Sequence, residues 1–321
     1  MYQTEKVLAE EAKEMRAVFA EVMEELAQQD GRVVYLDADV INSIGMTGFW
    51  KAHPERTVNC GIQEANMIGA AAGMSATGLI PFVHTFGPFA TRRVMDQVFL
   101  SAAYAKLNVR IIGSDPGVTA STNGGTHMPF EDMGMMRCIP EVTVLEPADS
   151  VMLADLLRQT KDSYGVFYIR LSRKKAEKIY ADGSTFEIGK AAKLREGSDV
   201  TIFATGISVA DSLRAAELLE REGIRAAVSN IFTIKPVDRE AIAQAAKATG
   251  AIVTAENHSI LNGLGSAVAE VLTETVCCPL ERVGVRDRFD EVGDVAYLKR
   301  VLHLTAEDIA AAARRAVARK G

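Results

Sequence analysis

Apolar residues fall at Val7, Leu8, Met15, Val18, Phe19, Val22, Met23 and Leu26, with Glu and Lys between them, before Asp30-Gly31. Steps of three and four predict a first helix that ends at that pair. A short apolar run at 33–36 then leads into Asp37-Ala38-Asp39. The alternation continues with a helix from about Glu64, a strand over 81–85, a helix over 91–106 and a strand over 109–112. After a long loop to residue 137 come a strand over 142–145, a helix over 150–160 and a strand over 166–171. Short, continuously apolar strands separated by helices predict a parallel sheet covered on both faces.

The segment 172–193 breaks this rhythm. It is polar, carries Arg173-Lys174-Lys175 and Asp182-Gly183-Ser184, and reads as a linker. Alternation then resumes with strands over 200–204, 226–228, 252–254 and 280–285 and helices over 209–221, 239–248, 265–275 and 306–318. The expected fold class is α/β, with two parallel-sheet domains spanning 1–180 and 181–321.

Composition narrows the function. The 321 residues, 48% of them hydrophobic, suffice for two cores. A formal net charge of -6 argues against a nucleic-acid binder, whose footprint is a basic face, although local arginines can still hold a phosphorylated substrate. No apolar run reaches the ~18 residues of a membrane span. Met1-Tyr2-Gln3-Thr4-Glu5-Lys6 lacks the basic start and apolar stretch of a secretory signal. Cys60, Cys138, Cys277 and Cys278 form no CxxC pair, so reduced thiols and a cytoplasmic location are expected.

Ligands of open parallel sheets gather at the carboxyl ends of the strands. Those ends carry Asp37-Ala38-Asp39 with Ser43, His84-Thr85-Phe86 with Phe89, Gly113-Ser114-Asp115, and Leu171-Ser172-Arg173. The loop 113–137, too long to be a plain connection, holds Asn123-Gly124-Gly125-Thr126-His127 and ends in Met128, Phe130, Met133, Met135 and Met136. That composition suits a loop ordered over a ligand. Each residue alone has a plainer reading: Asp39 as a turn cap, the phenylalanines as core, His127 and Arg173 as exposed polar residues. Their convergence on one rim is what favours a site.

Glu64 is the only charge between Gly61 and Pro81 and opens a run of small residues, Gly69-Ala70-Ala71-Ala72-Gly73. It is either a helix-terminal charge favoured by the macrodipole or a desolvated acid against a surface that permits close approach.

In order along the chain, Asp37-Ala38-Asp39, Gly61-Ile62-Gln63-Glu64, Thr85-Phe86 with Phe89, Gly124-Gly125-Thr126-His127, Glu146-Pro147-Ala148-Asp149 and Leu171-Ser172-Arg173 closely resemble the pyrimidine-binding domain of transketolase. Gly206, Ile234-Lys235-Pro236-Val237-Asp238 and Glu256-Asn257-His258 resemble its C-terminal domain. The diphosphate-binding domain, with its Gly-Asp-Gly motif and downstream Asn, has no counterpart here. The resemblance therefore implies the C-terminal subunit of a split transketolase. A separate N-terminal subunit would hold Mg²⁺ or Ca²⁺ and the diphosphate of thiamine diphosphate, in an assembly of two copies of each chain.

Under that resemblance Glu64 would hydrogen-bond the aminopyrimidine nitrogen, Phe86 and Phe89 would pack on its ring, and Asp39 would lie near the thiazolium across the dimer. Ser43 and Arg173 would grip the substrate phosphate, a task suited to a guanidinium fork. His127 would contact sugar hydroxyl or carbonyl oxygens. The implied reaction moves a two-carbon ketol unit from a ketose phosphate to an aldose phosphate. Three positions depart from the pattern: Arg92 replaces an aromatic residue, Asn123 an aspartate that reads a hydroxyl, and Ser114 a histidine that helps bind phosphate. They leave open which sugars are used, including a ketose with another anionic end group. Competing readings are a 1-deoxyxylulose-5-phosphate synthase-like or 2-oxoacid dehydrogenase beta-like enzyme, and a non-catalytic assembly subunit.

Overall fold

The computed structural model describes residues 1–289 and 291–320. Its larger sheet has seven strands in the order Thr233–Lys235, Val142–Leu145, Val166–Leu171, Val109–Ser114, Ile80–Phe86, Val33–Asp37, Thr57–Asn59. All pair in parallel except Thr233–Lys235, which runs antiparallel to Val142–Leu145. The second sheet has five strands in the order Leu280–Val285, Ile252–Ser259, Val200–Ala204, Ala226–Asn230, Ala192–Arg195, with only the last antiparallel. Parallel-dominated sheets wrapped by helices are what the apolar runs predict.

The two sheets are not isolated from each other. One apolar cluster joins Leu36, Ile111 and Val144 of the first to Phe203 and Ile252 of the second, and to Val268 of the helix Leu264–Glu274. Fully burying each such aliphatic side chain contributes about 1.5–3 kcal/mol. A boundary near residue 180 separates the sheets apart from Thr233–Lys235, a strand the pattern missed, which returns from the second half to edge the first sheet. Three residues are too few to show a period.

Other expectations need correction. Val7 and Leu8 lie in a strand, Thr4–Glu10, and the helix starts only at Met15, running Met15–Gln29. The strand pairs antiparallel with Glu177–Tyr180, inside the presumed linker. Val7 is 78% exposed, so its apolar character belongs to no helix face. The helix expected over 91–106 is broken into Gly87–Thr91, Met95–Gln97 and a π-helical segment, Val98–Tyr104. The long loop contains a 3₁₀ segment, Gly117–Asn123, and a helix, Asp132–Cys138. A helix at Val295–Val301 was also unforeseen. By contrast Ala306–Ala318 begins where Thr305 and Asp308 form a capping box.

Candidate functional site

The Glu64–Ala76 helix starts one residue after Gln63, whose φ of -142° and ψ of 60° lie outside the helical range. Its inner face buries Met67, Ile68, Ala71 and Ala72, while Gly69 and Gly73 look outward into open space. Glu64 is only 5% exposed, and its Oε1 accepts a hydrogen bond from Arg93 Nη1 at 2.7 Å. The same guanidinium lies 3.7 Å from the centre of the Phe89 ring. Phe89 meets Phe86 edge-on at 6.2 Å, and His127 touches both rings, at 5.2 and 5.7 Å.

Beyond Phe86 stands Arg173, with its guanidinium 5.0 Å from the ring centre. Asp115 holds that guanidinium through Nε at 2.7 Å and Nη2 at 2.5 Å. Arg173 Nη1 also donates to the Ser43 carbonyl at 3.4 Å. The predicted pair Ser43 and Arg173 is thus brought together, although through Ser43's backbone. Glu64, Arg93, Phe89, Phe86, Arg173 and Asp115 form one line across the rim, with an acid at each end.

Asp39 is exposed, takes a left-handed backbone with φ 65°, and accepts from Asn59 Nδ2 at 3.0 Å. Asn59 Oδ1 in turn accepts from Gly61 N at 2.9 Å, tying Asp39 to the turn that precedes Glu64. Asn123 is exposed at the end of the 3₁₀ segment, four residues before His127. Ser114 departs most from its expected setting. It is fully buried, with its hydroxyl 3.0 Å from His84 Nε2, so direct contact with a sugar phosphate is closed to it. Arg92, in the adjoining loop, donates to the Thr126 carbonyl at 3.1 Å and faces Glu131 Oε1 at 3.0 Å, bracing the His127 loop.

His84 links Ser114 to Asp37, whose Oδ2 is 3.0 Å from His84 Nδ1 and accepts from the Tyr35 hydroxyl at 2.7 Å. With Nδ1–H donating to Asp37, Nε2 accepts the Ser114 hydroxyl. This Ser–His–Asp sequence of bonds is wholly buried and holds three strand ends in register beneath the rim. Asp37 Oδ1 also accepts from Val40 N at 2.5 Å, setting the turn that presents Asp39.

A second polar network joins the sheets. Arg170 is buried, with Nε and Nη2 on Asp132 at 2.8 and 3.0 Å, Nη1 on Glu146, and Nη2 also on the Asn257 carbonyl at 3.1 Å. Burial works against its charge, but Asp132 and Glu146 outweigh burial and hold the guanidinium above its ordinary pKa. Glu256 caps the Leu264–Glu274 helix, accepting from Leu264 N at 2.7 Å and Gly265 N at 2.8 Å. Burial nonetheless pushes its carboxyl up to about 8, and pushes His258 down to about 4. Asn257 closes the link to the rim. It accepts from Val118 N at 2.9 Å and donates to the Pro116 carbonyl at 2.8 Å, clamping the start of the site loop. Gly117 between them has φ 51°, and a Cβ there would lie 2.2 Å from Asn257 Oδ1.

Sequence reasoning named Gly206, Glu146 and Glu256-Asn257-His258 only as blocks of resemblance, placed Asp115 at a strand end without a role, and missed Arg93. The spacing of Phe89 and Arg93, four residues apart, was the available signal for an aromatic–guanidinium contact. A cavity of about 630 Å³ lies elsewhere, among Lys13, Arg158 and Lys178, and contains none of these rim residues. Chemistry rather than volume marks the site.

A buried glutamate beside two phenylalanines, flanked by arginine and histidine, thus stands on one open edge of the α/β sheet. Residues 11–178 match the transketolase pyrimidine-binding domain and residues 189–309 the transketolase C-terminal domain; the chain belongs to the transketolase family. It is 52% identical over 306 residues to the 6-deoxy-6-sulfo-D-fructose transketolase subunit SqwH of Clostridium sp. (strain MSTE9), covering 95% of each chain. It is 40% identical to the putative transketolase C-terminal section of Methanocaldococcus jannaschii, over 93% of this chain and 94% of that one. Among solved structures it is similar to a split gene transketolase described as an inactive beta4 tetramer, with TM-score 0.89, 40% identity, and coverage of 96% and 99% of the two chains.

Proposed function

We propose that this chain is one subunit of a two-polypeptide transketolase that transfers a two-carbon ketol unit from an anionic ketose to an aldose phosphate. The line from Glu64 through Phe89 and Phe86 to Arg173 carries the reading. It sets an acid and aromatic faces at one end and a guanidinium at the other, within one continuous rim. Thiamine diphosphate, when bound, supplies the electron sink for breaking and making the carbon–carbon bond.

The residues present fit that cofactor. A planar N–H donor, the Arg93 guanidinium, already rests on Phe89 and bonds Glu64, so the slot accepts a flat nitrogen-bearing group. Glu64 holds a proton at the facing ring nitrogen. Phe86 and Phe89 orient the ring, each aromatic contact adding about 0.5–1.5 kcal/mol beyond its area. Asp39, exposed at its turn, would serve the thiazolium side of a cofactor shared with a second subunit. His127 donates to sugar oxygens, Asn123 reads a hydroxyl beside it, and Arg173 with Ser43 holds the anionic end. Ser114 acts at one remove, through His84. Domain content supports a partner: this chain matches the pyrimidine and C-terminal domains. An N-terminal subunit would then bring the diphosphate site and its Mg²⁺, in a cytoplasmic assembly of two copies of each chain.

The relative at 52% identity is named for 6-deoxy-6-sulfo-D-fructose, which supports a ketose whose anionic end need not be a phosphate. The test mixes this chain with its partner and compares 6-deoxy-6-sulfo-D-fructose, fructose 6-phosphate and pyruvate as donors to glyceraldehyde 3-phosphate. Ketol transfer from a ketose, absent with either chain alone, is the expected result. Consumption of pyruvate only, or full activity of this single polypeptide, would refute the proposal.

A further inference from the structure

Arg93 is engaged in an unusual way for a residue whose side chain is 46% exposed. Nothing obliges an arginine at the surface to lie flat. This one does so over Phe89, at 3.7 Å, and its Nη1 donates to Glu64 Oε1 at 2.7 Å. Those are the two contacts that the proposed function gives to the cofactor's aminopyrimidine: a planar face on Phe89 and a nitrogen against Glu64. A separation of 3.7 Å is van der Waals contact, so no second ring fits between the guanidinium and Phe89. Arginine and ring must alternate.

We propose that Arg93 is a placeholder for the aminopyrimidine: a positioning residue that occupies the slot between Glu64 and Phe89 and is displaced when the cofactor ring enters. The idea rests on the proposed function and deepens it. Its physical basis is that the guanidinium supplies a hydrogen bond to a carboxylate that is 5% exposed beneath it, and covers the face of Phe89 as well. A guanidinium satisfies both surfaces. It is also removable, because a partly exposed ion pair and a cation–π contact are each weak. Flanking residues fit this role. His127 packs edge-on against Phe89 with ring centres 5.2 Å apart, and the neighbouring Arg92 is directed away to Thr126 and Glu131.

The test measures equilibrium binding of thiamine diphosphate with Mg²⁺ to the reconstituted two-chain complex, by calorimetry and by stopped-flow quenching of the protein fluorescence. Arg93→Ala should bind about tenfold more tightly than wild type, through faster association, because losing both weak contacts removes the competition. Arg93→Lys, which keeps the charge but not the planar stack, should fall between the two. Arg158→Ala, at an exposed pair with Glu25 away from the rim, should match wild type. Unchanged or weaker binding by Arg93→Ala would overturn the placeholder role alone. Failure of the wild-type complex to bind thiamine diphosphate would overturn the functional reading, and this role with it.

Discussion

At the carboxyl edge of the seven-stranded sheet the strand ends stand open. Asp39 is exposed, Phe86, Phe89 and His127 are half-buried, and Arg173 reaches across from the last parallel strand. At the carboxyl edge of the five-stranded sheet, Thr205, Glu256, Asn257 and His258 are buried, and the space above Gly206 is filled by the Glu146 side chain. A Cβ on Gly206 would lie 2.6 Å from that carboxylate. Strand-end crevices of open α/β sheets are ligand sites by default. Here one crevice offers acid, aromatics and cation to a ligand, whereas the other is plugged by Glu146 and Arg170 of the first sheet. The second edge has become a socket that fixes the site loop through Asn257.

The largest effect should come from the open edge. Glu64→Gln keeps the helix and the assembly but removes the acid, and proton exchange at the thiazolium carbon should slow by about 10²–10⁴-fold. Unchanged exchange, followed by NMR in the reconstituted complex, would show that this edge does not activate the cofactor.

In the socket the expected loss is stability. Arg170→Met strands the buried carboxylates of Asp132 and Glu146, at a cost of about 3–5 kcal/mol, read from denaturant unfolding. A cost below ~1 kcal/mol would mean that the plug is not held by charge, since exposed pairs contribute no more than that.

The smallest effect is a pH slope. Glu256 has its carboxyl raised from 4.5 to about 8, chiefly by burial. Its contribution to stability is therefore fully present below about 4.5 and is lost as the pH rises through about 8. His258, lowered from 6.5 to about 4, has the opposite sign: its contribution is present above 6.5 and is lost as the pH falls through about 4. Between pH 6.5 and 8 only the Glu256 slope remains of the two, at most about 1.4 kcal/mol per pH unit. Glu256→Gln should flatten it relative to wild type, and parallel pH curves for the two proteins would contradict the raised carboxyl.

Much of the site could be read from sequence because its parts sit at strand ends, and continuous apolar runs betray where strands end. Asp39, Phe86, Ser114 and Arg173 were placed at or just past strand ends that way. Ser114 shows the limit. Position along a strand places a residue at the rim, but which side of the strand it faces depends on what packs there, and His84 packs there. Asp115 was placed at its strand end but given no role, for a related reason. Its left-handed backbone, φ 57°, turns its carboxylate onto Arg173, a partner 58 residues away.

The sequence by itself determined the α/β alternation, the helix opening at Glu64, and the chemistry delivered to the first sheet's edge. These follow from local periodicity and from residue type, which are carried within a few neighbouring residues. Tertiary structure alone decided that Thr4–Glu10 is a strand, that Thr233–Lys235 crosses to the other sheet, and that Arg93 lies on Glu64 and Phe89. It alone decided that one strand-end crevice stays open while the other is filled. Each of those outcomes depends on a partner far along the chain, and burial or pairing with that partner outweighs the weak local preferences that a sequence pattern records.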